Sequence, residues 1–479
     1  MSAAVGTLPL PPSYSDPIIG IDGDADVFNV AASAFELPAY TPSRTSNPRA
    51  AREPGIKEFP HELKKKGKSF AVMTIIAEES YSRQIPTFLE GMPVKGRVRL
   101  TLDKPDGIQS VVVSVTGQVI VGANQGEQLT FIDISQTLWS HFDGEPQNTN
   151  SDDGNSSPEG TDVPTGSPPK FTGKLQGDYT WQFSIDLPKE VVLPSGPRNQ
   201  PHVFNPPQTF NERHTRASIN YEVSVRFTRG KLRTDHRIPA QIGYIPMTRP
   251  PPFPYLRRLA YQQGTPLLGP TMDPDGWFST EPVQVRGSIF NDRTVEVGCT
   301  LFIANPLSYT RGSLIPFCLR LESDDEQALD LISTPKAVVL RLRRRIKYHW
   351  NAEKSFESLA WKDAVDHSQL AVWWPSIEGS QANGPKHVRF LNGELHLRPD
   401  IKPTSAMAHF RLMYSVVLFP FDSPGFISKE TEPLIEHPVD IVTCYAPGPR
   451  PRMFAPPGYE SDSAIVAAPN TFTLNMEFF

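Results

Sequence analysis

Across "VVVSVTGQVIV", residues 111–121, every second position but Gly117 is apolar. Val111, Val113, Val115, Val119 and Val121 fall on one face, with Gly117 among them, while Ser114, Thr116 and Gln118 fall on the other. A period of two with one apolar face predicts a half-buried β-strand. The same rule predicts strands in "PVKGRVRLTL" (Val94, Val98, Leu100, Leu102), "YTWQFSIDLP" (Trp181, Phe183, Ile185, Leu187) and "INYEVSVRFTRG" (Tyr221, Val223, Val225, Phe227). "SFAVMTIIAEESY" and "LTFIDISQTLW" are further candidates, and a second series runs from "VQVRGSIF" through "LIPFCLRLES" and "HFRLMYSVVLF" to "PVDIVTCY". No long segment holds a helical period. Many short strands with turn signals, twice over, predict an all-β protein of two antiparallel immunoglobulin-like β-sandwiches.

The breaks in the pattern divide the chain. Residues 1–66 lack sustained periodicity and are rich in Pro, Ser and Ala, which predicts a disordered tail with at most a short ordered piece in "IKEFPHELKKKGK". A first sandwich is expected over 67–247, with the apolar-poor stretch 140–170 as a disordered insertion. Pro250, Pro251, Pro252 and Pro254 stiffen a proline-rich linker, 248–275. A second sandwich is expected over 276–446, followed by a tail, 447–479.

Composition sharpens this. Fifty prolines among 479 residues are roughly twice the usual share, and proline survives in turns, edge strands and linkers rather than helix interiors. A net charge of -5 argues against a global nucleic-acid footprint. Three cysteines, Cys299, Cys318 and Cys444, are too few for a disulfide scaffold and fit a reducing compartment. Neither a signal peptide nor an 18-residue apolar run is evident, so the expectation is cytoplasmic.

Two short words repeat outside the strand-rich body. "PPSY" (Pro11, Pro12, Tyr14) lies before it and "PPGY" (Pro456, Pro457, Tyr459) after it, with the weaker variant "LPAY" (Leu37, Pro38, Tyr40). Paired prolines favour polyproline II, which suits the aromatic grooves of WW domains, with the tyrosine filling a second pocket. From Tyr14 to Tyr40 is 26 residues, a flexible span of roughly 28 Å, which would let two words act on one partner through effective concentration.

The order of the strands resembles the arrestin fold, particularly the fungal α-arrestins, or arrestin-related trafficking adaptors. The resemblance rests on "FLEGMPVKGRVRLTLDKPDGIQSVVVSVTGQVIVG", "KLQGDYTWQFSIDLP" and "ASINYEVSVRF" in the first half, then on "GSLIPFCLRLES", "AVVLRLRRRIKY" and "EHPVDIVTCY". It covers about 69–446. The resemblance implies an adaptor whose PPxY words hold a WW-domain HECT-type ubiquitin ligase. Its body would hold plasma-membrane transporter or receptor tails, with recruitment to the plasma membrane or endosomes. The residues themselves lead to the expectation of no enzyme, no cofactor and no metal, since catalytic motifs are missing and the histidines lack metal-ligand spacing.

Other features matter less. In "RLRRRIKYH", Arg341, Arg343, Arg345 and Lys347 share one strand face, a candidate contact for anionic lipid, inositol phosphate or acidic cargo. A solvated face that discourages edge pairing explains them as well. Arg344 interrupts the opposite, apolar face at what reads as a bulge or strand end. Lys64, Lys65, Lys66 and Lys68 are candidate ubiquitin acceptors, or a plain solvated charge run. GxSxG, HExxH, Walker-type and CxxC motifs are all missing. The readings to separate are a ligase adaptor, an arrestin-fold scaffold or coat-type subunit with idle PPxY words, and a β-sandwich hydrolase.

Overall fold

The computed structural model describes residues 55–459, apart from 66, 80–81, 83, 123–126, 147–169, 196–199, 214, 231–232, 350–360 and 380–386. The first sandwich pairs two sheets. One is β1 (Ile56–Lys65), β2 (Lys68–Glu78), β4 (Val94–Asp106) and β7 (Leu175–Ile185), in that order. The other runs β3 (Thr87–Leu89), β12 (His236–Ile245), β11 (Ser218–Arg229), β5 (Ile108–Ile120) and β6 (Gln128–Ser140), with β10 (Phe210–Asn211) added beside β11. A ribbon of β8 (Val191–Ser195) and β9 (Gln200–Phe204) stands apart.

The second sandwich repeats this plan. Its larger sheet runs β20 (Val372–Pro375), β21 (Val388–His396), β17 (Leu314–Glu322), β15 (Arg293–Ala304), β14 (Val283–Ile289) and β24 (Phe426–Ser428), with β13 (Trp277–Ser279) beside β15. The facing sheet runs β16 (Ser308–Thr310), β25 (Ile435–Val442), β23 (Phe410–Leu418), β18 (Leu340–His349) and β19 (Trp361–Leu370), with β22 (Ser405–Met407) beside β23. In each sandwich a short strand, β3 or β16, runs parallel to the last long strand, β12 or β25. The two halves thus share one topology.

The alternating apolar faces meet as expected. Val111, Val113, Val115 and Val119 are buried, as are Tyr221, Val223, Val225 and Phe227 across the ladder from them. A continuous apolar cluster extends through both sandwiches, and Phe210 meets Phe410 across the junction with ring centroids 5.1 Å apart. Large apolar burial of this kind is the main stabilising term of the fold.

Four segments differ from the sequence reading. Residues 56–65, placed in the tail, form β1, an antiparallel edge strand on β2. Pro60 is tolerated there because an edge strand need not donate on both sides. The linker holds a helix, α1 (Tyr255–Gln263), which begins after Pro254 and ends at Gly264. Its Arg257 is buried over the Phe253 ring and donates to the Tyr261 hydroxyl at 3.1 Å. A second short helix, α2 (Glu326–Ile332), is capped by the Asp325 carboxylate, which accepts from the Ala328 N–H at 2.9 Å. Finally, residues after 446 do not leave the body at once, as set out next.

Candidate functional site

Residues 446–459 form a strap across α1 and β21. Ala446 joins a small apolar cluster with Phe253 and Tyr261. Phe454 stacks parallel to the Tyr261 ring, 6.3 Å between centroids, and its N–H donates to Glu394 Oε1 at 2.8 Å. Glu394 is only 2% exposed, so this charge-assisted bond is shielded from water. The strap ends in "PPGY". There the Tyr459 N–H donates to the Pro456 carbonyl at 3.1 Å, closing a four-residue turn. Gly458 sits at φ +97, which an L side chain resists even though open space surrounds it. Proline then glycine at the two central positions is the type II signature. Tyr459 is 38% exposed. Sequence reasoning found the word and missed its anchor; the apolar "MF" just before it was the available signal. The other words (Pro11, Pro12, Tyr14; Leu37, Pro38, Tyr40) lie outside the described residues.

The basic strand is β18. Arg341, Arg343, Arg345 and Lys347 do share its outer face, half-buried, while Leu340, Leu342, Ile346 and Tyr348 point into the core. The neighbouring strands neutralise part of this row. Arg343 pairs with Glu436 of β25 and Arg345 with Asp363 of β19, the latter at 3.4 Å. Arg341 and Lys347 have no carboxylate partner among the described residues. The candidate patch is therefore two separated cations rather than four in a row.

Arg344 is no bulge. It sits mid-strand on the core face, 8% exposed, opposite Tyr414 on one side and Asp366 on the other. Its guanidinium grips Glu212 through two bonds, 2.8 and 3.0 Å. Burial alone would pull its pKa down, but the Glu212 carboxylate more than reverses this. Glu212 follows β10 of the first sandwich, so this forked pair crosses the junction. A register break was the wrong physical reason for a polar residue on an apolar face; a distant carboxylate was the right one.

The junction carries more charge close by. Arg311, in the β16–β17 turn, donates to Gln208 Oε1 of the first sandwich at 3.1 Å. Lys402 lies in the β21–β22 connection, with its carbonyl accepting from the Tyr414 hydroxyl at 2.7 Å. Beyond, the segments following β12 and β25 are tied by Thr248 N–H to Thr443 Oγ1 at 3.0 Å and by Cys444 N–H to the Thr248 carbonyl at 2.8 Å.

The lysine run is split by its surroundings. Lys64 meets Glu62 at 3.2 Å and Lys68 meets Asp103 at 2.7 Å, both on the surface. Lys65 turns over the Phe70 ring and towards Asp106, 3.9 Å away. Lys66 is outside the described residues. Exposed amines at 64 and 68 remain reachable from solvent. Among the described residues no group of three or more His, Cys, Asp or Glu side chains is placed to hold a metal ion, and no helix is long and apolar enough to cross a membrane.

Residues 78–241 match the family described as Arrestin (or S-antigen), N-terminal domain. No curated protein matches the chain. The matched span runs from the last residue of β2 to within β12, so it takes in the first sandwich without β1 and almost all of β2. The second sandwich repeats its strand order. The chain is thus an arrestin-fold protein, of the general adaptor or scaffold type that this fold serves.

Proposed function

We propose that the protein is an adaptor that recruits a WW-domain HECT-type ubiquitin ligase to membrane cargo, so that the cargo is ubiquitinated, internalised and sorted. The observation that carries this reading is "PPGY" held at the surface on a strap fixed to an arrestin-fold body, with "PPSY" and "LPAY" earlier in the sequence, before the first strand. A fixed handle has a defined position relative to whatever the body holds, which suits transfer between two bound partners. Cargo would be the tails of plasma-membrane transporters or receptors, and Arg341 with Lys347 is the outer-face contact available to acidic tails or anionic lipid. Lys64 and Lys68 are the acceptors for ubiquitin on the adaptor itself. The adaptor would act in the cytoplasm and be recruited to the plasma membrane or endosomes.

The closed turn supports a second reading, a scaffold or coat-type subunit without ligase recruitment. WW grooves take polyproline II, so the Pro456–Tyr459 bond must open before "PPGY" can bind. A pull-down of the full chain on isolated WW domains separates the two readings. Under the adaptor reading, Tyr14→Ala combined with Tyr459→Ala abolishes capture and ligase-dependent ubiquitination. Unchanged capture in the double variant rejects it in favour of the scaffold.

A further inference from the structure

The linker running into α1 reads "RPPPFPYLRR", residues 249–258. We propose that its exposed edge is a preformed polyproline ligand for a partner domain of the SH3 type, one with an aromatic-lined groove and carboxylates at the groove rim. The site uses none of the PPxY residues and does not rest on ligase recruitment.

Backbone conformation is the first argument. Pro250, Pro251, Pro252 and Pro254 each hold φ at about −65°, and each proline keeps the residue before it extended. Pro254 itself has φ −51 and ψ 153, which is polyproline II. That helix has about three residues per turn, so every third residue shares a face. Burial follows the same period. Pro250 and Phe253 are buried, Pro251 and Pro252 are exposed, and Pro254 is half-buried. Tyr255, three residues beyond Pro252, is 66% exposed.

The inward face is fixed to the body. Phe253 packs in the cluster with Tyr261 and Ala446, and the Arg257 guanidinium lies 4.8 Å from its ring centroid. A ligand already held in its bound conformation loses little entropy on docking. This distinguishes the ridge from a free proline-rich spacer, which would have to be ordered first.

Spacing and charge narrow the partner. Pro251 and Pro254 stand one turn apart as P-x-x-P, the spacing that polyproline grooves read. "PPFPY" lacks the PPxY spacing of the other words, so the ridge is not a further copy of them. Arg249, Arg258, Arg450 and Arg452 are all exposed, and none has a carboxylate partner among the described residues. They border the ridge on the linker and strap. Arg249 donates to the Tyr445 carbonyl at 3.4 Å, and Arg450 lies 3.7 Å from the centroid of that tyrosine ring. Arg258 lies over the Tyr255 ring at 5.7 Å. Arg452 Nη1 is 2.8 Å from where a Cβ would stand on Gly264, at the end of α1. A cationic border of this kind attracts a groove edged with carboxylates and repels a basic one. Guanidinium adds a forked contact to each carboxylate it meets.

The test uses the full chain, titrated by calorimetry with a panel of isolated SH3 domains, some with acidic and some with basic groove rims. Saturable binding to acid-rimmed domains is expected, weakening as salt is raised. Pro251→Ala with Pro252→Ala should weaken it at least about tenfold. Both prolines are exposed, so the unfolding temperature should not move. Arg258→Gln should weaken binding and flatten its salt dependence, and it keeps the test valid if the double change disturbs the linker. Arg341→Gln on the outer face of β18 should have no effect. The proposal is overturned if no domain binds, or if acidic and basic rims bind alike. It is also overturned if Pro251→Ala with Pro252→Ala binds like the wild type at an unaltered unfolding temperature. Capture of WW domains that survives Tyr14→Ala with Tyr459→Ala, yet is lost on changing Pro251 and Pro252, would assign the ridge to a WW partner and reject the SH3 one. SH3 binding itself should survive Tyr14→Ala with Tyr459→Ala, so this site and ligase recruitment fail separately.

Discussion

In the first sandwich, Arg229 at the end of β11 is neutralised by Asp106 of β4, 2.6 Å away. Both belong to that sandwich, and Asp106 also takes Arg233 at 3.2 Å. In the second sandwich, Arg344 in the middle of β18 is neutralised by Glu212, which the first sandwich supplies. The two halves share a strand plan, yet one closes its buried charge internally and the other depends on its neighbour. The first sandwich pairs its buried arginine internally, whereas the second pairs Arg344 only when docked, through a Glu212 that depends on the same contact. This difference gives the junction a specific lock, beyond the Phe210–Phe410 contact and the Thr248–Thr443 ties.

Removing the lock should have the largest effect. Side chains of Arg344 and Glu212 are 10% and 12% exposed, so Glu212→Ala leaves a buried guanidinium without its forked partner. A loss of about 3–5 kcal/mol is expected in chemical denaturation. Replacing both, as Arg344→Leu with Glu212→Leu, should recover most of it, because no charge is then stranded. If Glu212→Ala costs less than about 1 kcal/mol, the pair behaves like a surface bridge and the asymmetry between the sandwiches disappears.

A packing change within the first sandwich comes next. A Cβ at Gly96 of β4 would lie 2.4 Å from the Thr74 carbonyl oxygen of β2 and 2.5 Å from the Phe183 ring of β7. The first of these is backbone and cannot swing away. Gly96→Ala should therefore cost about 1–3 kcal/mol through overpacking. Its effect should add to that of Glu212→Ala, since the two sites share no contact. Strong non-additivity by a double-mutant cycle would show that the first sandwich is not independent after all.

Acid should expose the second sandwich first. His409 is 7% exposed beside His349, and burial followed by His349 lowers its pKa from 6.5 to about 4. The folded state thus favours the neutral ring. Its contribution is full above pH 6.5 and fades as pH falls from there towards 4, because the unfolded chain takes up the proton more readily. Stability measured at pH 7.5 and pH 5 should differ less in His409→Leu than in the wild type. An equal difference would assign the acid sensitivity to other groups, such as His61 and His236 of the first sandwich, whose pKa values burial also lowers.

What could be read from sequence, and what could not, follows the same division between local and remote. The β5 valines announce a strand because period two is a property of consecutive residues. The edge strand β1 announces little, since Pro60 and its charges suit an edge and resemble a tail. Helix α1 is nine residues long between proline and glycine, and it buries an arginine, so its pattern mimics a linker. Arg344 looked like a fault in the β18 pattern because the residue that satisfies it is 132 positions away. The "PPGY" word was legible for the same reason β5 was; its anchor, Glu394, is remote in sequence and was not.

The smallest effect is kinetic and needs no change in overall stability. Cys299 and Cys318 are buried in neighbouring strands of the second sandwich, while Cys444 at the junction is half-buried. The first sandwich has no cysteine. Burial pushes the Cys299 thiol up to about 12 and raises Cys318 as well. A thiol reagent should therefore modify Cys444 first and reach the other two only when the second sandwich opens. Glu212→Ala should speed modification of Cys299 and Cys318. Asp106→Ala, which strands Arg229 in the first sandwich, should not, unless opening of one half drags the other with it. Equal acceleration by both variants, read by mass spectrometry over time, would mean that the sandwiches open as one cooperative unit and that the dependence runs in both directions.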